Sequence, residues 1–121
     1  MNTPSFHYDE LSDTLYVSFA PGEEATGIEL NDHILLRINK EERRAVGITF
    51  FEYSLLAQHT ELGQRSFPLH GLAHLADELR GIVLDIVRRA PVNELLTLSA
   101  YTPSIAETIP ITMVQALPIA A

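Results

Sequence analysis

The stretch FHYDELSDTLYVSF (residues 6–19) contains two runs of alternating apolar and polar residues, separated by a short acidic segment. In the second run Leu15, Val17 and Phe19 alternate with polar residues, a period of two that is typical of a strand with one buried face. The acidic segment between the two runs is short enough to be a turn. The stretch therefore predicts a β-hairpin near the start of the chain.

The acidic segment itself has two interpretations. It contains three carboxylates and one hydroxyl, those of Asp9, Glu10, Asp13 and Ser12. Such groups can be metal ligands or acid–base catalysts, but Asp and Ser also hold turns by bonding nearby backbone amides. A calcium loop needs more oxygen ligands at defined spacings, and a catalytic pair needs a cleft that a hairpin tip alone does not provide. We therefore interpret the segment as turn-forming.

The next fifty residues continue the alternating pattern. Apolar residues alternate within residues 26–30, 34–38 and 46–50, and the polar residues 31–32 and 39–44 separate these runs. Short polar segments between alternating runs are typical of hairpin turns. Residues 6–58 are therefore predicted to form an antiparallel β-meander of four or five strands.

Residues 68–90 change to a helical period. Apolar residues recur at intervals of three and four from Leu72 to Ile86, which predicts one long amphipathic helix with His70, His74 and Asp77 on its polar face. Residues 94–116 again alternate and predict C-terminal strands. The fold expected is α+β in a single domain of residues 1–121.

The composition limits the classes of protein to which this chain can belong. At 121 residues with 46% hydrophobic and 20% charged residues, the chain is typical of a small globular domain. Its apolar runs are too short to span a membrane, and the N-terminus lacks the features of a signal peptide. The absence of cysteine excludes disulfides and thiol catalysis. We expect a bacterial cytoplasmic protein that does not associate with membranes.

The charge is strongly negative, with a net value of −8. Residues 1–58 contain ten acidic and four basic residues, which gives −6 for that half alone. A field of this sign repels phosphate backbones and so disfavours direct nucleic-acid binding. Such a charge favours a small basic protein as partner, or it serves only to keep the protein in solution. The uncharged tail QALPIAA (residues 115–121) is expected to pack back or to meet a second copy, which predicts a homodimer.

One set of residues suggests a metal site. His70 and His74 are four apart in the predicted helix, and Asp77 lies one turn further on. Two histidines at this spacing can share a zinc ion with a carboxylate as third ligand. However, the stretch HGLAH lacks the Glu that follows the first His in helical metalloproteases, and a solvated helix face commonly carries such residues. Both interpretations are kept.

Three pieces of the first half, YDELSDTLYVSF, NDHILLRIN and AVGITFFEYS, together resemble the DUF2283 family of small uncharacterised bacterial proteins over about residues 6–58. The resemblance departs from the family pattern at residues 40–44, which replace an acidic-glycine turn, and at Thr49, where Glu is common. It implies a β-rich module without an established activity, followed by an extension. Some members look like small acidic partners of basic toxins, which implies an antitoxin-like role. The matching residues are Tyr8, Asp9, Asp13, Leu15, Tyr16, Val46, Gly47, Ile48 and Ser54.

The sequence leads to three hypotheses of function. The first is a non-enzymatic protein-interaction or regulatory module without a cofactor, in its sharpest form antitoxin-like, since no serine or glycine stands in a catalytic or phosphate-binding context. The second is a small-molecule-binding protein with a pocket between sheet and helix, lined by Phe50, Tyr53 and Tyr101. The third is a metal-dependent hydrolase built on His70, His74 and Asp77.

Overall fold

A five-stranded antiparallel sheet forms the first half of the protein. The computed structural model describes residues 4–60, 63–64, 66–104 and 107–114, with side chains for 4–58, 66–99 and 110–114. The sheet has the strand order β1-β2-β5-β4-β3. Its strands are β1 (Ser5–Asp9), β2 (Thr14–Ser18), β3 (Thr26–Asn31), β4 (Ile34–Asn39) and β5 (Arg44–Phe51).

The strand order differs from a simple meander because β5 lies between β2 and β4. Of the five strands, β5 has the most continuous burial, from Ala45 to Phe50. A strand buried on both faces is best placed in the centre of a sheet, where neither of its edges meets solvent. The register aligns Phe50 with Leu15 on one side and Ile34 on the other, so that the apolar rows form one face.

The second half contains helices and two smaller sheets. Strands β8, β10 and β9 form a three-stranded antiparallel sheet in the order β8-β10-β9, and β6 pairs with β7. The elements in chain order are α1 (Tyr53–Leu56), β6 (His59–Thr60), β7 (Gly63–Gln64), β8 (Phe67–Pro68), a first 3₁₀ helix (His70–His74), α2 (Asp77–Val87), a second 3₁₀ helix (Val92–Glu94), β9 (Leu96–Ser104) and β10 (Glu107–Val114).

The α-helix is shorter than the periodicity predicts. The first 3₁₀ helix ends at His74, residues 75 and 76 are extended, and α2 begins only at Asp77. Tertiary contacts explain the division. A Cβ atom added at Gly71 would overlap the carbonyl oxygen of Glu29, so the 3₁₀ helix lies directly against β3. The Arg80 side chain bonds the carbonyl oxygen of Leu72, which satisfies backbone groups at the break.

One hydrophobic cluster joins the two halves. It extends from Leu15 and Phe50 of the large sheet to Val83 and Ile86 of α2 and to Leu96 of β9, all at most 1% exposed. The α+β fold class predicted from the sequence is therefore confirmed. The predicted strands over 94–116 correspond to β9 and β10 as far as residue 114, and the tail lies outside the described residues.

Candidate functional site

The turn 10–13, the turn 32–33 and the residues that follow β5 lie together at one end of the five-stranded sheet. The register pairs Asp9 with Thr14 and Thr14 with Phe51. The backbone N–H of Phe51 also donates a hydrogen bond of 2.8 Å to the carbonyl oxygen of His33. We call this region, residues 9–14, 31–34 and 51–54, the hairpin end.

Asp9 holds the first turn, as the sequence predicted. One carboxylate oxygen of Asp9 accepts a hydrogen bond of 3.1 Å from the N–H of Leu11, and the other accepts one of 2.9 Å from the Ser12 hydroxyl. A carboxylate that bonds the backbone two residues further on replaces a backbone turn bond. The turn interpretation of the acidic segment is therefore confirmed for Asp9 and Ser12.

Asp13 has a role that the turn interpretation missed. Its carboxylate accepts hydrogen bonds from the hydroxyls of Tyr8 (2.6 Å) and Ser54 (2.5 Å), and from the Ser54 N–H (3.1 Å to the nearer oxygen). Its carbonyl oxygen accepts a further bond of 2.9 Å from the N–H of Tyr53. We call Tyr8, Asp13 and Ser54 the clasp, because together they join β1, the first turn and the start of α1.

The backbone at Asp13 is adapted to this position. Its φ angle is 54°, in the left-handed region that Asp and Asn tolerate better than most side chains. Glu52, which precedes α1, has the same φ of 54°. Two left-handed residues thus bring the turn and the end of β5 into contact, and the clasp hydrogen bonds join them there.

The clasp shifts the pKa of both of its ionisable groups. Desolvation of Asp13 acts to raise the pKa of this carboxyl, but the hydrogen bonds from the Ser54 hydroxyl, Tyr8 and the Ser54 amide together lower it below its ordinary value. The hydrogen bond to Asp13, followed by desolvation and the neighbouring carboxylates, raises the pKa of Tyr8 to about 12. Asp13 is therefore ionised and Tyr8 protonated at neutral pH.

These protonation states are suited to structure rather than to acid–base chemistry. A general base works best with a pKa near the working pH, and a serine nucleophile needs such a base beside it. Here the Ser54 hydroxyl donates to a carboxylate whose pKa is lowered, and which already accepts from Tyr8. The clasp stabilises the hairpin end and does not activate Ser54.

The surface of the hairpin end carries both exposed apolar residues and exposed carboxylates. Leu11 is fully exposed, and Phe51 is 40% exposed. Glu10, Asp32 and Glu52 are exposed nearby, while residues 9–14, 31–34 and 51–54 contain no Lys or Arg. Among the described residues, the basic groups within ion-pair distance of these carboxylates are two histidines. His33 lies 3.2 Å from Glu52, and His70 lies 3.7 Å from Asp32.

The opposite end of the sheet contains compensated charges. Arg44 donates hydrogen bonds of 2.7 Å to Glu23 and 2.6 Å to Glu42. The hydrogen bond to Glu23, then that to Glu42, raises the pKa of Arg44, and its reciprocal effect lowers the pKa of Glu23. Asn39 accepts a further bond of 3.0 Å from the N–H of Glu42 and so closes the β4–β5 turn.

The predicted metal ligands do not lie on one α-helical face. His70 and His74 are the first and last residues of the first 3₁₀ helix, and Asp77 follows an extended break at the start of α2. The Asp77 carboxylate accepts a bond of 3.0 Å from Arg80. Within the described residues no group of three His, Asp or Glu side chains could hold a metal ion. Metal binding by these residues stays a prediction.

Two residues of the predicted aromatic pocket lie in the core. Phe50 and Tyr53 are 1% and 7% exposed and pack against each other in the core, with ring centroids 6.0 Å apart. The side chain of Tyr101 lies outside the described ones. A pocket lined by all three residues therefore stays a prediction. Among the described residues, no helix is both long and apolar enough to cross a membrane.

Comparison with known proteins adds one finding. A family model described as a protein of unknown function (DUF2283) matches residues 5–54. This span begins with β1 and ends at Ser54, so that it contains the whole five-stranded sheet and the complete clasp. No curated protein and no solved structure matches the chain.

Proposed function

We propose that this chain, whose residues 5–54 belong to the DUF2283 family of unknown function, is a non-enzymatic interaction module that binds a small basic protein through its hairpin end. The acidic character of residues 1–58 and the exposed apolar tip support the proposal. An antitoxin-like protein, which holds a basic partner in a complex, is its sharpest form.

One observation carries the proposal, namely that the hairpin end presents exposed carboxylates and an exposed leucine but contains no Lys or Arg. Glu10, Asp32 and Glu52 are exposed at the same end of the sheet as the fully exposed Leu11, on segments without Lys or Arg. Complementary charges accelerate association and select the partner, whereas a desolvated apolar residue supplies much of the affinity. A basic surface with an apolar hollow is the partner that fits this arrangement.

The clasp adds rigidity to the proposed interface. Asp13 joins the first turn to Ser54, which is 41 residues away in the chain. A loop that is already held in its bound shape loses less conformational entropy on association. The clasp is thus a scaffold for Glu10 and Leu11, whose side chains remain exposed for a partner.

The test is a quantitative capture experiment with matched variants. The tagged protein is expressed in its native organism, and bound proteins are quantified by mass spectrometry. The hairpin-end variant carries Glu10→Gln, Leu11→Ser and Asp32→Asn, which leave the clasp intact. The opposite-end variant carries Glu24→Gln and Glu41→Gln, so that both variants lose two exposed carboxylates.

We expect one small basic protein in stoichiometric amount with the wild type and with the opposite-end variant, and much less with the hairpin-end variant. Equal loss in both variants would mean that net charge alone attracts the partner, which contradicts the proposed interface. Capture of no basic protein by the wild type would contradict the proposed function itself.

A homodimer remains a separate proposal, which the excess of apolar residues in the tail supports. It is tested by the mass of the full chain in solution at micromolar concentration. Twice the chain mass of 13.5 kDa is expected, and the mass of a single chain would contradict it.

A further inference from the structure

A long groove lies between α2, the first 3₁₀ helix and the sheet β8-β10-β9. Its volume is about 670 Å³, within the range of small-molecule sites. Leu72, Leu84 and Leu98 form much of its apolar wall, and Arg80, Arg88 and Ser99 contribute polar groups. His70 also lines the groove and lies 3.7 Å from Asp32 of the hairpin end, whereas Arg88 and Ser99 are not part of the proposed interface.

One stripe of α2 faces the groove. Arg80, Leu84 and Arg88 are spaced by four residues, which places them on the same side of the helix. Each of the three guanidinium nitrogens of Arg80 donates a hydrogen bond within the fold. They donate to the carbonyl oxygens of Leu72 (2.8 Å) and Leu75 (2.7 Å) and to the carboxylate of Asp77 (3.0 Å). Arg80 therefore holds the wall of the groove through three hydrogen bonds of its own.

Arg88 differs from Arg80 in this respect. Its guanidinium is exposed and forms no hydrogen bond or ion pair with another described residue, and the two aspartates of α2 are paired with Arg80 and Arg89. Arg88 and Ser99 also line an adjacent hollow of about 440 Å³. The two residues thus lie where the two spaces meet, with one cationic donor and one hydroxyl facing solvent.

We propose that this groove binds a medium-chain aliphatic carboxylate, such as a free fatty acid. The hydrocarbon chain lies along Leu84, Leu98 and Leu72, where its burial supplies affinity. The carboxylate is held by Arg88, since a guanidinium offers two parallel donors to a carboxylate, and Ser99 donates a further bond. Recognition of an anion by a chain with a net charge of −8 requires such a local cation.

The head-group charge provides the sharpest test. Octanoate, octanol and octylammonium have the same chain and differ in the charge of the head group. Each is titrated into the full chain by calorimetry, with binding located by NMR. Loss of a charge-assisted hydrogen bond costs about tenfold in affinity. We therefore expect octanoate to bind the wild type about tenfold more tightly than octanol, and octylammonium to bind most weakly.

Three variants locate the interaction. Arg88→Gln should lower octanoate affinity to that of octanol and leave octanol binding unchanged. Arg89→Gln is the matched control, because this neighbour is paired with Asp85, and it should leave both ligands unaffected. Leu84→Gln should weaken the binding of octanoate and of octanol to the same extent. Circular dichroism shows that each variant is folded.

Three results would overturn the inference. The first is that octanoate does not bind the wild type. The second is that the three ligands bind with equal affinity. The third is that Arg88→Gln and Arg89→Gln lower the affinity for octanoate equally. Equal affinity would mean an apolar surface without head-group recognition. None of these results bears on the hairpin end, whose residues are unchanged in all variants.

Discussion

The two ends of the five-stranded sheet both contain clustered carboxylates, but different groups stabilise them. At the β4–β5 end, Arg44 bonds Glu23 and Glu42, so the cation of the chain itself compensates their charge. At the hairpin end, neutral donors from Tyr8 and Ser54 bond Asp13. Glu10, Asp32 and Glu52 at this end have no Arg or Lys partner among the described residues, although histidines lie beside Asp32 and Glu52.

This difference separates the carboxylates that are paired within the fold from those that the proposed interface would use. Hydrogen bonds from neutral donors hold Asp13 without cancelling its charge, whereas an ion pair removes most of the local field. Variants at the two ends should therefore differ in how much stability they lose and in how strongly that loss depends on salt.

The largest effect is expected from Asp13→Ala. This change leaves the half-buried Tyr8 hydroxyl and the exposed Ser54 hydroxyl and N–H without their acceptor. Loss of such an acceptor typically costs about 1–3 kcal/mol of the free energy of unfolding, and the partial exposure favours the lower part of this range. Urea denaturation measures it. Asp9→Ala is the control, and a larger loss in this control than in Asp13→Ala would contradict the role of the clasp.

Acid should weaken the same region. Because the folded state lowers the pKa of Asp13 below its ordinary value of 3.8, the ionised clasp contributes stability above that value. The contribution is lost as the pH falls through the still lower pKa of the folded state. The stability difference between wild type and Asp13→Asn should therefore be constant near neutral pH and shrink below about pH 4. A difference that grows on acidification would have the wrong sign.

Tyr8→Phe should have a smaller effect, because Ser54 still bonds Asp13. Removal of the Tyr8 donor should raise the pKa of Asp13 toward its ordinary value, since this hydrogen bond lowers it. NMR titration of the Asp13 carboxyl measures the shift. The double variant with Asp13→Ala should lose less stability than the sum of the two single losses, because the two residues share one interaction. Full additivity would argue against the bond between them.

The smallest effect is expected from Arg44→Gln at the opposite end. Exposed ion pairs contribute little to stability and are screened by salt. The variant should lose less stability than Asp13→Ala, and the loss should diminish at high salt. The loss in Asp13→Ala should vary less with salt, because its donors are neutral. Thermal unfolding at low and high salt compares them, and a reversed order would contradict the distinction between the two ends.

Local patterns in the sequence predicted much of the fold but little of the site. The alternation of Leu15, Val17 and Phe19 determines which face of β2 is buried, and this information lies within a few residues. The clasp joins Asp13 to Ser54, and no local pattern shows that pairing. A signal was present, however, because Tyr8, Asp13 and Ser54 all belong to the residues that resemble the family.

The helix boundaries show the same limit. The period of residues 68–90 is helical throughout, yet residues 75 and 76 are extended because Gly71 packs against β3 and Arg80 bonds the carbonyls at the break. Tertiary contacts override a periodic pattern in such cases. The groove likewise forms from segments distant in sequence, so that neither Arg88 nor Ser99 is conspicuous in the sequence alone.

The hairpin end, and not the acidic charge as a whole, is proposed to bind a basic protein. The most direct test of this claim is the ratio of that protein recovered with the hairpin-end variant to that recovered with the opposite-end variant. Loss of an apolar anchor and two charges predicts a ratio of about one tenth or less. A ratio near one would contradict the claim.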